Sequence, residues 1–350
     1  MENHKLYMQR CIELAYNGLG NTYPNPLVGS VIVCGNKIIG EGYHTKSGKA
    51  HAEINAINSV KDKSLLKKST LYVNLEPCSH YGKTPPCAKK IAELGIPKVV
   101  IGTIDTSDKV KGKGVQILRN AGVEVITGVL EKEAREINKR FFTFHEKKRP
   151  YIILKWAQTA DGYLAPDKDI RQNIEPFWIT GKNERTLVHK WRTEEQAILI
   201  GRKTLEYDNP KLNVRFWYGN NPVPFIIGNN IDFNFKYNLL EREENINIFT
   251  KKIYSETPRN TNIYQLFDEE NITKQIIDYL YSLKIQSIIV EGGAFTHKNF
   301  IESNLWDEAR VFIGKKFFGK GVKIPDINKK HIKKQINFRD STLFYIKNFL

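Results

Sequence analysis

Apolar residues recur at helical spacing at the start of the chain, where Met8, Ile12, Ala15 and Leu19 predict an opening helix that ends near Gly18 and Gly20. Val28 to Cys34 and Lys37 to Tyr43 are strand-like runs joined across Gly35-Asn36, a hairpin signal. The pattern then alternates. A helix is expected after His51 through Ile54, Ile57 and Asn58, a buried strand at Leu71 to Leu75, and a helix from about Cys87 to Leu94. Strands follow at Val99 to Gly102 and Val123 to Ile126. A helix, a hairpin and then alternating strands and helices predict a sheet sandwiched between helices.

The charge run Glu146-Lys147-Lys148-Arg149, closed by Pro150, predicts a domain boundary, with residues 1–145 in one domain and 146–350 in the next. Beyond it the expected order is strand Tyr151 to Ala157, a loop, a helix over Asn183 to Thr193, then strands at Ala197 to Ile200, Pro224 to Ile227 and Ile246 to Thr250. A helix at Ile272 to Lys284, a strand at Ser287 to Val290 and a helix containing Phe295 to Phe300 complete a second α/β sheet domain.

Composition adds little to this division and excludes some functions. The 350 residues suit two domains, and 41% hydrophobic residues suffice for ordinary cores. No run approaches the roughly 18 apolar residues of a membrane span. A soluble, cytoplasmic chain without membrane contacts is expected, because there is no signal-like start and only four cysteines. The net charge of +16 invites a nucleic-acid partner, but the lysines are spread along the whole chain without a long basic block with interleaved aromatics. No nucleic-acid partner is therefore expected. An anionic small substrate or cofactor would profit from the same field, and a homo-oligomer is the expected assembly.

The chemistry concentrates in His51-Ala52-Glu53, Pro77-Cys78 and Pro86-Cys87. One imidazole and two thiolates supply three ligands for a catalytic zinc, whose fourth position takes a water with its pKa lowered to roughly 7. Glu53, two residues from His51, is placed to move a proton from that water to a departing amine, the acid/base set of a nucleobase-type hydrolytic deaminase. Either piece alone arises by chance, and a lone cysteine is usually a small buried hydrophobe. Cys11 and Cys34 fit that description, at apolar positions of a helix and a strand, whereas Cys78 and Cys87 follow prolines in a polar segment. Each prolyl-cysteine step is expected to open a helix, whose N–H groups favour a thiolate.

Eight residues, Ser-His-Tyr-Gly-Lys-Thr-Pro-Pro, separate Cys78 from Cys87, where nucleic-acid deaminases of this kind commonly carry PCxxC. Residues 77–87 resemble the PCSHxGxTPPC loop of the bifunctional riboflavin-biosynthesis deaminase/reductase family and match every fixed position. Pro24-Asn25-Pro26-Leu27-Val28-Gly29 and Gly42-Tyr43-His44 are similar to its other pocket segments. The resemblance implies a cytidine-deaminase-like three-layer domain acting on a phosphoribosylamino-pyrimidine. His80 and Lys83, lying between two zinc ligands, are expected substrate contacts, as are His44 and Asn25, whose amide suits a pyrimidine edge.

The second half carries the resemblance independently. Lys155-Trp156-Ala157-Gln158-Thr159-Ala160-Asp161-Gly162 is similar to the family's KLAxSLDG strand, and Phe177-Trp178-Ile179-Thr180-Gly181 to its WITG step. Gly201 through Arg215 is similar to GxxTxxxDxPxLxxR, and Val290-Glu291-Gly292-Gly293 to the late VEGG turn. These imply a dihydrofolate-reductase-like domain that binds NADPH, although no GxGxxG fingerprint is present. The Gly292-Gly293 pair before a helix would also let backbone N–H groups approach phosphate. The implied cofactor contacts are Gln158, Trp178, Thr204, Asp208, Gly293, Ala294, Phe295 and Thr296. Arg192, Leu212, Arg215 and Glu291 are the implied substrate contacts, the arginines through phosphate, with Lys155, Asp161 and Pro176 as further candidates.

Tyr23 stands where the family has histidine, Asp105-Thr106-Ser107-Asp108 where it tends to have DPNP, Ala160 for a leucine and Pro176 near a substrate serine. None touches the zinc set, and residues after about 320 add little to the resemblance. The expected function is deamination of 2,5-diamino-6-ribosylamino-4(3H)-pyrimidinone 5′-phosphate by zinc-activated hydroxide, followed by NADPH reduction of the ribosyl group to ribityl. The alternatives are a tRNA-type editing deaminase and a zinc module without catalysis.

Overall fold

The structure is a computed structural model that describes residues 2–79, 85–107, 111–167, 169, 174–242, 244–267, 271–324, 327 and 331–348. The chain divides into two compact units, Met1–Lys148 and Arg149–Leu350.

The first unit opens with α1 (Glu2–Tyr16) and the hairpin β1 (Gly29–Cys34) and β2 (Lys37–Tyr43). Then come α2 (Ala52–Ser59), β3 (Ser69–Leu75), α3 (Cys87–Glu93), β4 (Lys98–Thr103), α4 (Lys113–Asn120), β5 (Glu124–Thr127), α5 (Glu131–Ile137) and α6 (Lys139–Lys147). The sheet runs β2-β1-β3-β4-β5, antiparallel across the hairpin and at β1-β3, parallel from β3 to β5. Its inner strands β1, β3 and β4 are buried on both faces and feed two cores. Ile32, Leu71, Val73, Val99 and Ile101 pack with Ala56, Ile57, Ala88 and Ile91 of α2 and α3. Val31, Tyr72 and Val100 pack with Met8, Cys11, Ile12, Ala134 and Ile137 of α1 and α5. This is the helix–sheet–helix arrangement that period-two alternation within buried strands requires.

The second unit holds β6 (Tyr151–Gln158), β7 (Tyr163–Pro166), α7 (Lys182–Glu194), β8 (Ala197–Gly201), α8 (Arg202–Asp208), β9 (Val223–Ile227), β10 (Ile246–Thr250) and β11 (Thr261–Gln265). It continues with α9 (Ile272–Ser282), β12 (Ser287–Val290), α10 (Ala294–Glu302), β13 (Glu308–Gly314), β14 (Gly321–Lys323), β15 (Ile332–Asn337) and β16 (Ser341–Lys347). Nine strands form one sheet in the order β11-β10-β9-β8-β12-β6-β13-β16-β15, and β7 pairs with β14 separately. The strands from β11 to β13 are parallel, and β16 and β15 close the edge antiparallel.

Two expectations change. The opening helix stops at Tyr16, before Leu19, because the chain turns there through backbone bonds from Asn17, Gly18 and Leu19 to the preceding carbonyls. Pro77-Cys78 opens no helix among the described residues: residues 76–79 have no regular structure, and the Pro86-Cys87 step begins a helix, with Pro86 at the N-cap. Residues beyond 320, which add little to the resemblance, complete the sheet, since β16 pairs with β13 along its whole length.

Candidate active sites

In the first unit the strand-to-helix junctions gather the zinc set. His51 is the N-cap of α2, Cys78 follows β3 and Cys87 starts α3. His51 Nδ1 lies 3.5 Å from Cys78 Sγ and 3.4 Å from Cys87 Sγ, and the three ligand atoms lie within 4.8 Å of one another. The Cys87 backbone N–H donates to Cys78 Sγ at 3.3 Å. The neighbouring Cys87 thiol pulls the Cys78 thiol down to about 4 against burial, with His51 helping, while sharing with Cys78 and burial push Cys87 up. One soft thiolate, a second thiol beside it and an imidazole converging on one point form a donor set that suits zinc. Glu53, in the first turn of α2, is 3% exposed. Burial, and then the charge of Cys78, push its carboxyl up to about 7, against the pull of His51. A carboxyl balanced near neutrality can both take and give a proton.

Asn25 and His44 form a relay beside this cluster. Asn25 Nδ2 lies 3.0 Å from His44 Nε2, and His44 Nδ1 lies 3.0 Å from the Ala50 carbonyl. A carbonyl only accepts, so Nδ1 carries the proton and Nε2 accepts from Asn25. Burial lowers the His44 pKa, consistent with that neutral ring, whose edge meets His51 at 5.4 Å between centroids. Asn74 and Asn138 hold the Asn25 loop from behind, each donating to the Leu27 carbonyl, with their Oδ1 atoms taking the Gly29 and Leu27 N–H groups. Glu76, next to the cysteine loop, accepts four backbone N–H groups, from Asp105, Gly112, Gly114 and Val115, at 2.9–3.2 Å. Asp105 caps its own turn by accepting from the Ser107 N–H at 2.7 Å. Asp108, His80 and Lys83 lie outside the described residues.

In the second unit a cavity of about 1250 Å³ opens at the carboxyl ends of the parallel strands, where open α/β sheets bind ligands. It is lined by Lys155, Pro176, Trp178, Arg192, Thr204, Asp208, Leu212, Arg215, Glu291 and residues 293–296 among others. Glu291, after β12, takes Arg192 of α7 side on, and Lys155 Nζ lies 3.5 Å away. Burial would raise the Glu291 pKa, but Arg192 and Lys155 together hold it at about 2. Arg192 also donates Nη1 to the Asn213 carbonyl at 3.2 Å, so its guanidinium is committed to protein groups. Leu212, buried in the same loop, has a left-handed φ of 50°.

The glycine turn is built for close approach. Gly293 caps α10 with φ 65°, and a Cβ on Gly292 would stand 2.6 Å from Ile200 Cα. Gly293 to Thr296, at the start of this nine-residue helix, line the cavity, and the main-chain N–H groups of a helix start are a donor set that suits a dinucleotide pyrophosphate.

Two expected contacts lie elsewhere. Gln158 and Asp161 line a separate cavity of about 250 Å³. Strand alternation puts Gln158 on the face of Trp156, whose Nε1 donates to its Oε1 at 2.8 Å, and Asp161 clamps the Phe318 and Gly319 N–H groups. Conversely, His189 and Arg185 line the large cavity and were not singled out from the sequence. His189 stands three residues before Arg192 on one helix face, a signal the spacing carried.

Residues 1–103 match the family model of the cytidine and deoxycytidylate deaminase zinc-binding region, and residues 150–344 that of the RibD C-terminal domain. The riboflavin biosynthesis protein RibD of Aquifex aeolicus is 40% identical over 342 residues, covering 97% of this chain and 94% of that one. The Bacillus amyloliquefaciens protein of the same name is 38% identical over 314 residues, covering 87% and 83%. Among solved structures, the Thermotoga maritima diaminohydroxyphosphoribosylaminopyrimidine deaminase/5-amino-6-(5-phosphoribosylamino)uracil reductase superposes with a TM-score of 0.88 at 36% identity, covering 99% of both chains. Acinetobacter baumannii RibD gives 0.87 at 29%, covering 100% of this chain and 99% of that one. The first unit accordingly has the cytidine-deaminase-like fold and the second the dihydrofolate-reductase-like fold of the RibD C-terminal domain. The chain belongs to the RibD family of bifunctional riboflavin-biosynthesis deaminase/reductases.

Proposed function

We propose that the chain performs two successive steps of riboflavin synthesis. The first unit hydrolyses the 2-amino group of 2,5-diamino-6-ribosylamino-4(3H)-pyrimidinone 5′-phosphate, taking up water and releasing ammonia. The second reduces the ribosyl group of the resulting uracil to an open ribityl chain. The observation that carries this is the joining in one chain of the His51, Cys78 and Cys87 cluster, with Glu53 buried beside it, to a basic cavity large enough for a dinucleotide and a second ligand.

In this proposal His51, Cys78 and Cys87 would hold zinc, which would supply the Lewis acidity that makes water a nucleophile near neutral pH. Glu53 takes a proton from water on its carboxylate and delivers it to the departing amino nitrogen. Asn25, held by His44, reads the pyrimidine edge. In the second unit NADPH supplies the hydride. The main-chain N–H groups of Gly293 to Thr296 would hold its pyrophosphate, with Trp178, Thr204 and Asp208 lining the same cavity. Arg215 and Leu212 meet the phosphoribosyl group, and Glu291 with Lys155 and Arg192 faces its reacting end. The partners are small phosphorylated pyrimidines, met in the cytoplasm, where the thiols of Cys78 and Cys87 stay reduced.

The test is to supply the diaminopyrimidinone phosphate with NADPH and follow ammonia and then NADPH absorbance. Ammonia should appear first, and NADPH oxidation should follow the deaminated product. Deamination of RNA with no turnover of the pyrimidine phosphate would overturn the proposal in favour of an editing enzyme.

A further inference from the structure

His189 lines the large cavity and carries a ring donor that no role above uses. The side chain sits on α7, one turn before Arg192, and is 4% exposed. Its Nδ1 accepts the backbone N–H of Arg215 at 3.0 Å. A ring nitrogen that accepts from an amide carries no proton, so the neutral imidazole must carry its proton on Nε2. Burial, followed by the charges of Arg192 and Arg215, pushes its pKa down to about 4 and keeps the ring neutral. The ring packs edge-on against Phe216 at 4.8 Å between centroids. Nε2 has no hydrogen-bond partner among the described residues, yet it is not sealed away, and the ring lines the cavity.

The surroundings select the ligand. Arg192 and Lys155 at this end are both spent on Glu291. Arg215 makes no ion pair with a carboxylate among the described residues; its Nη1 reaches only the Asn213 amide oxygen. One uncompensated guanidinium beside one neutral N–H donor suits a phosphate monoester, which accepts both a charge-assisted bond and a second, directional one. His189 also holds the Arg215 main chain, which keeps the root of that side chain beside the ring.

We propose that His189 donates its Nε2 proton to the phosphate of the pyrimidine substrate, completing with Arg215 a phosphate site in the reductase cavity. This rests on the reductase reading above.

The experiment compares the full-length protein with His189→Asn, which keeps an acceptor at the Nδ1 position but loses the distal donor, and His189→Gln, which extends a donor towards the Nε2 position. Loss of one hydrogen bond to a charged group should raise KM for the deaminated pyrimidine phosphate by about 10-fold in His189→Asn. KM for NADPH and ammonia release should stay unchanged, and His189→Gln should recover part of the loss. The dephosphorylated substrate should be used equally by the native protein and His189→Asn. Ribose 5-phosphate, titrated calorimetrically, should bind the native protein about 10-fold more tightly than His189→Asn. Equal binding of ribose 5-phosphate, or an equal penalty on the dephosphorylated substrate, would overturn the proposal. Absence of NADPH oxidation by the native protein would overturn the reductase reading instead, and the calorimetric comparison would still decide the role of His189.

Discussion

Arg192 and Glu291 meet as a two-bonded fork, Nε to Oε1 at 2.9 Å and Nη2 to Oε2 at 2.8 Å, with both side chains nearly buried. Removing one member leaves the other charged without water. Arg192→Leu should therefore destabilise the second unit by about 3–5 kcal/mol, read as a lowered unfolding midpoint of that unit, and an unchanged midpoint would show that the pair is not buried in solution.

Glu53→Gln keeps the shape of the side chain and removes its capacity to carry a proton. Ammonia release should fall by about 10²–10⁴-fold, with zinc content by elemental analysis and NADPH oxidation on pre-deaminated substrate both retained. Retained deamination would remove Glu53 from the chemistry.

Arg215→Ala should spare ammonia release and raise KM for reduction by about 10- to 100-fold, the expected loss of a hydrogen bond to a charged group. Steady-state kinetics on the deaminated product check this, and an equal fall in both activities would point to misfolding.

The second unit should lose stability as pH falls from about 6.5 to 4. His189 and His297 have pKa values pushed down to about 4 and about 3 by burial and by nearby cations, Arg192 first for His189 and Lys155 for His297. The unfolded chain takes up protons at an ordinary histidine pKa near 6.5, whereas the native rings stay neutral to lower pH. Protons therefore favour the unfolded state across that window, and stability is fully present only above it. Thermal unfolding at pH 7 and pH 5 measures the slope, which His297→Leu should flatten.

The zinc set was legible because its members are short-range signals: a His-x-Glu at a helix start and two cysteines bracketing one loop. The Cys78 conformation was not, because a Pro-Cys step looks alike before a helix and within an extended turn. Strand β13 escaped notice for a different reason. Glu308 and Arg310 make its sequence look like a solvated edge, yet Arg310 Nε donates to Glu308 Oε1 at 2.6 Å and the guanidinium lies over Trp191, so two charges are buried by satisfying each other. The partners remote in sequence, Trp191 and Glu195 for Arg310 and Tyr151 for Glu308, carry no local signature. Gln158 and Asp161 show the converse, since their motif placed them near the site while strand alternation and a turn clamp gave them to another cavity.

The two sheets differ in how much chain must exist before they can close. In the first unit, neighbouring strands are near neighbours in sequence, so the sheet can assemble as its residues leave the ribosome. In the second, β6 is made first among its strands but lies between β12 and β13, which are among the last. The run Tyr-Ile-Ile-Leu at 151–154 must therefore wait, apolar and unpaired, until β12 has been made at residue 290, and β6 gains its second neighbour only when β13 ends at residue 314. Nascent chains stalled before that point should be the ones that chaperones hold and proteases find.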